Sequence, residues 1–167
     1  MPNRRGATPQ PHRLLRVVPV VQTHDFADGS LTVVSLEIYA DAFLVHTHLR
    51  YPVDGREGGG EADPGTWRRV RLATPEVLFE ATDDRGGGYG CWSGGGYGGG
   101  GARGEMLWRR DYAFAPVLDP AARALRLAVS AIEWVRHDPA QPGPTVEATQ
   151  AVGWTLTIPL SSTASAA

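Results

Sequence analysis

The chain has no lysine: all 16 of its basic residues are arginine. A P-loop needs a lysine on the β- and γ-phosphates. A Schiff-base or pyridoxal-phosphate enzyme needs a lysine amine, and a protein kinase needs its strand lysine. Those chemistries are excluded, and no cofactor is expected. Cysteine is nearly absent too. Cys91 stands alone, so an intramolecular disulfide and a multi-cysteine zinc site are excluded. A lone thiol without a signal peptide points to a reducing cytoplasm. Arg4 and Arg5 suggest a twin-arginine signal, but the next apolar stretch, Leu14 to Val21, is short and broken by Arg16 and Pro19. No stretch reaches the roughly 20 apolar residues of a membrane-spanning helix. Net charge is small as well: 16 basic against 18 acidic residues give -2. That balance predicts neither a nucleic-acid nor an anionic-membrane partner.

What is present is a chain of 167 residues, 42% hydrophobic and 20% charged. That suits one globular domain, and folding at this size buries roughly 68–70% of the unfolded surface. Residues 1–13 are rich in Pro and Arg without periodicity and are expected to be a tail, as is 161–167 (SSTASAA). The folded domain is expected over 14–160.

Inside it the dominant signal is alternation with period two. Strands are predicted over Leu14 to Gln22, Ser30 to Ala40, Phe43 to Tyr51, Trp67 to Ala73, Glu76 to Thr82, Glu105 to Phe114, Leu125 to Arg136 and Glu147 to Ile158. Pro19 makes the first an edge or bulged strand. In the second, Thr32, Val34, Leu36, Ile38 and Ala40 form the better core face. In the third, Phe43, Val45, Thr47, Leu49 and Tyr51 point inward, and His46, His48 and Arg50 point out. Pro52 to Thr66 reads as a loop. Asp119 caps the one helix-like turn, with Pro120 after it. Seven to nine strands with turn signals between them predict an all-β antiparallel sandwich. A closed barrel is the alternative.

The cadence of the chain carries a resemblance. VVPVVQTHDFADGSLTVVSLEIYAD (17–41), LFEATDDRGGGYG (78–90), AFAPVLDPAARALRLAVSAIEW (113–134) and GWTLTIPL (153–160) follow one another. This resembles the immunoglobulin-like β-sandwich domains of unknown function found in many bacterial proteins. The resemblance implies a fold and no activity, because such sandwiches host many functions. The polyglycine stretch departs from it.

That stretch, residues 86–104, holds 12 of the chain's 21 glycines. Glycine loses the most backbone entropy on folding, so a mobile loop insertion is expected. Gly94, Gly96 and Gly99 satisfy GxGxxG, but that fingerprint needs a strand before it and a helix after it. Tyr89, Trp92 and Tyr97 spaced along a strap would stack on a sugar, a base or a partner's apolar surface. Cys91 would be reactive only if a cation such as Arg85 or Arg103 depressed its pKa. The order Cys91-Trp92-Ser93-Gly94 is no nucleophile elbow.

His46 and His48, two apart on a strand, project from one face about 6–7 Å apart at their Cα atoms. They are the candidate metal pair, with His24, Asp25 or His137 as a third ligand. The bland alternative is a solvated polar face. Asp83 and Asp84 lack EF-hand spacing and suit an Asx turn. Glu76, Glu80, Glu105 and Glu133 show no acid/base pairing. Arg68, Arg69, Arg71, Arg109 and Arg110 would make a basic stripe if they shared a face. The leading expectation is a non-enzymatic interaction module that binds a protein partner through loops or a sheet face. The alternatives are carbohydrate or small-ligand binding through Tyr89, Trp92 and Tyr97, and a metal-dependent enzyme centred on His46 and His48.

Overall fold

The computed structural model describes residues 13–26, 29–52, 74–92, 95–100, 105–137 and 140–160. The two tails, most of the Pro52 to Thr66 loop and the expected strand Trp67 to Ala73 lie outside the described residues. Nine strands are present: β1 (Leu14–Phe26), β2 (Gly29–Tyr39), β3 (Phe43–Pro52), β4 (Thr74–Asp83), β5 (Gly88–Trp92), β6 (Gly96–Gly100), β7 (Glu105–Ala115), β8 (Ala124–His137) and β9 (Pro144–Pro159). Every pairing is antiparallel, and no helix occurs among the described residues. The Asp119 turn is capped as expected: its Oδ1 accepts from the Ala121 amide at 2.8 Å.

The order is β1-β2-β3-β7-β5-β4-β8-β9, with β6 also on β7. The expected all-β antiparallel class is observed, while an immunoglobulin-like sandwich is not confirmed. One ladder runs through all the strands and curls into a half-barrel around its core. Among the described residues the ladder joins its two halves through a short pairing, where β4 meets β5 at Ala81–Tyr89 and Thr82–Gly88. Beyond that join β4 leaves β5 and the ladder opens. Side chains of β7 cap the exposed edge of β4 there. The Val77 amide donates to Tyr112 Oη at 3.0 Å, and Arg110 Nη1 donates to the Pro75 carbonyl at 2.9 Å. A buried backbone donor without such a partner would cost about 1–3 kcal/mol.

The core lies inside the curl. Phe43 and Phe114, adjacent in the β3–β7 register, stack at 5.0 Å, and Phe79 crosses Tyr112 edge-on at 4.9 Å. Fully buried side chains of this size stabilise by about 1.5–3 kcal/mol each. The inward set predicted for β3 is observed, Thr47 included: its hydroxyl donates to the Arg110 carbonyl. The β2 prediction is corrected. Its core residues are Leu31 and Val33, then Leu36 and Ile38. A bulge at Val34 skips one pairing, between Val33–Thr47 and Ser35–His46, and flips the inward phase.

The glycine-rich stretch is not one loop. Gly88–Trp92 and Gly96–Gly100 are strands along the same edge of β7. The reason is steric. A Cβ on Gly96 would lie 2.5 Å from Arg110 Cγ, and one on Gly98 would lie 2.6 Å from the Trp108 ring. Glycine at alternate positions lets these two large β7 side chains lie flat against the β6 backbone.

Candidate binding face

Outward positions of β2, β3, β7 and β6 make one polar face. The β3–β7 register sets His46 opposite Asp111 and His48 opposite Arg109. The β6–β7 register then sets Tyr97 beside Arg109. From β2, Glu37 and Tyr39 reach the same face. A groove of about 330 Å³ runs between these rows, lined by His46, His48, Gly95, Tyr97, Arg109 and Asp111, among others.

One end of the face is acidic and ion-paired. His46 Nδ1 lies 2.6 Å from Asp111 Oδ1, and Nε2 lies 3.2 Å from Glu37 Oε2. Tyr39 donates its hydroxyl proton to the same Glu37 oxygen at 2.7 Å. Burial alone would depress the His46 pKa. The carboxylates of Asp111 and Glu37 outweigh it and raise the pKa above the ordinary 6.5. The Tyr39 hydrogen bond, then His46, hold Glu37 below the usual carboxylate value. Its bond to Glu37 pushes Tyr39 up to about 12.

The other end is basic. Arg109 lies over the Tyr97 ring at 5.8 Å and donates to its hydroxyl at 3.1 Å. Tyr97 is 66% exposed. His48 is held below 6.5, first by desolvation and then by the charges of Arg109 and Arg50.

The structure thus brings His46 and His48 to one face, as their spacing implies, but in different surroundings. Both nitrogens of His46 face carboxylates, and those carboxylates flank opposite sides of one ring. Among the described residues no group of three or more His, Cys, Asp or Glu is placed to hold a metal. Of the proposed third ligands, His24 stacks on Trp154 at 5.3 Å, and the side chain of His137 lies outside the described residues.

The three aromatics of the glycine stretch separate. Tyr89 is a core residue, not a contact on a strap. It packs edge-on against Phe43 and donates to Asp83 Oδ2 at 2.5 Å. Burial and then that bond push Tyr89 up to about 12. Trp92 is half-buried, and Tyr97 alone stands clear of the surface. Alternation carried the signal: Gly88-Tyr89-Gly90 and Gly96-Tyr97-Gly98 are period-two patterns hidden by the glycine count. Asp83 is a turn residue, also accepting the Arg85 and Gly87 amides, and Asp84 accepts those of Arg123 and Ala124. Cys91 is exposed, and desolvation, then Glu76, push its thiol up to about 12, the opposite of the depressed value that a reactive thiol needs. Arg85, considered as its cation, binds Asp119 instead, and Arg103 lies outside the described residues. No basic stripe joins Arg109 to Arg110. They point to opposite faces, Arg110 inward to Glu76 at 2.7 Å, and Arg68, Arg69 and Arg71 lie outside the described residues. The sequence reading missed Glu37, Tyr39 and Asp111, which only the strand register brings to His46.

No family model matches the chain. No curated protein matches it either. Among solved structures the chain is similar to the crystal structure of the conserved domain protein from Bacillus anthracis, with a TM-score of 0.52 and 13% identity. The likeness covers 87% of this chain and 49% of that one, so the chain spans about half its length. At that identity the likeness shows a shared β-rich fold and nothing of activity. No helix among the described residues is long and apolar enough to cross a membrane.

Proposed function

We propose that the protein is a non-enzymatic binding module that takes a protein partner on the outer face of β3, β7 and β6. The observation that carries this reading is Tyr97. A large aromatic ring stands 66% exposed on a paired strand, held by Arg109 beside an open groove. Tyr and Arg on a rigid frame are the side chains that dominate interface energies. The acid end supports it by contrast. The second nitrogen of His46 faces Glu37, so it has no nucleophile to activate. The lone Cys91 suits a cytoplasmic setting, and the immunoglobulin-like cadence suits a scaffold for binding surfaces.

The exposed ring also favours a second reading, in which a sugar or other small ligand stacks on Tyr97. One experiment separates the two. The intact chain, its Tyr97→Ala variant and a Val117→Ser control on another surface are compared for partner capture from a lysate of the source cells. The module reading expects one protein held by wild type and control, and lost by Tyr97→Ala at an unchanged melting temperature. Equal capture by all three overturns it. Protein-free capture with tyrosine fluorescence quenched by sugars favours the second reading.

A further inference from the structure

We propose that the basic end of this face is an oxyanion site, taking a carboxylate or phosphate group carried by the partner between His48, Arg109 and Arg50. The proposal rests on the binding-module reading and names what that face recognises. Its basis is an imbalance of charge across one sheet surface. At the acid end, Glu37 and Asp111 share the imidazole of His46. Among the described residues no carboxylate is ion-paired with His48, Arg50 or Arg109.

Strand geometry forces these groups together. His48 and Arg109 are register partners, and directly opposed side chains have Cβ atoms about 4.5–5.5 Å apart. Arg50 follows on the same face, two residues along, about 7 Å away. A protonated His48 opposite Arg109 would be a like-charge pair, which destabilises a sheet, and a bound anion offsets that repulsion. Arg109 gives one N–H to Tyr97 and keeps others for a ligand.

The groups around His48 are few. β2 presents neutral Thr32 opposite it. On β3 are His46 and Arg50, on β7 Arg109 and Asp111, and on β6 Tyr97. Asp25 and Glu105 share a second groove with Arg50. Desolvation, then the charges of Arg109 and Arg50, hold the His48 pKa below 6.5. An anion between them favours the protonated imidazole, so binding draws in a proton. Affinity then rises as pH falls through the His48 titration.

The test uses the full chain and sulfate, whose charge is constant over the range. Imidazole resonances of His46 and His48 are followed by NMR from pH 5.5 to 8 with increasing sulfate. Sulfate should raise the titration midpoint of His48 and leave that of His46 in place. It should bind about three- to tenfold tighter at pH 5.5 than at pH 8. Arg109→Gln should lose the binding, and His48→Gln, which keeps the polar shape, should lose only the pH dependence. Acetate is the second arm: saturation by acetate as well assigns a carboxylate, and by sulfate alone a phosphate-like group. The proposal is overturned if neither anion moves His48, or if sulfate moves it equally in Arg109→Gln. If His48 is unmoved while Tyr97→Ala still abolishes capture, the oxyanion assignment falls and the binding module stands. If sulfate titrates His48 as expected but Tyr97→Ala captures normally, the anion site stands and the partner reading falls.

Discussion

His46 shows how one side chain's chemistry follows from its ladder partners. In isolation an outward histidine on a strand is a polar surface residue. Here the register gives it Asp111 on one side and the sheet gives it Glu37 on the other. Its raised pKa means the folded state holds the proton more tightly than the unfolded chain does. The stabilisation is therefore fully present below the ordinary 6.5 and is lost as pH rises through the higher folded value. We expect wild type to exceed His46→Gln in stability by about 1 kcal/mol or less below pH 6, since the pair is a quarter exposed and screened by water. The difference should shrink toward zero above neutrality. Urea titrations at several pH values check it, and a difference that grows with pH would contradict the clamp. His48 shifts in the opposite sense, because desolvation and then the charges of Arg109 and Arg50 lower its pKa.

At the scale of elements, the glycine-rich strands separate what the sequence makes legible from what it hides. The β3 face was readable because Phe43, Val45, Thr47 and Leu49 alternate without interruption. The β2 face was misread because a bulge at Val34 leaves no mark in the alternation. The glycine strands were misread as a mobile loop because composition was weighed over spacing. Entropy disfavours ordered glycine, but pairing with β7 and the flat packing of Trp108 and Arg110 offset that cost. Gly96→Ala places a methyl against Arg110 Cγ and, at 2.8 Å, the Arg109 carbonyl. It should cost about 1–3 kcal/mol, as overpacking does. Gly95→Ala, one residue away with open space, should be nearly neutral in the same denaturation series. Equal effects at both positions would mean that β6 does not lie against β7 as described. The bulge of β9 follows a different rule. Val152 and Gly153 oppose the single residue Ser130, and Gly153 has φ +66, a conformation that only glycine adopts without strain.

At the scale of the whole molecule, the sheet divides its labour. The inside of the curl carries the aromatic core, and the edge strands β1 and β9 meet where His24 stacks on Trp154. The outside of β3, β7 and β6 carries the charged face. The all-β antiparallel class of the described residues was legible from alternation and turn signals. The curl was not, because it depends on where β4 leaves β5, and that is set by Tyr112 and Arg110 reaching the β4 edge. The binding face was half legible: His46, His48 and Tyr97 were candidates, while Glu37 and Asp111 came only with the register. The central claim is that the site is preformed, with Tyr97 presented by a paired strand. Backbone amide exchange of the free protein tests it most directly. The account predicts protection in Gly96–Gly100 well above that of an unstructured chain, and a further rise there when the partner is bound. Exchange of those amides at the unprotected rate would contradict it, and would return Tyr97 to a flexible strap.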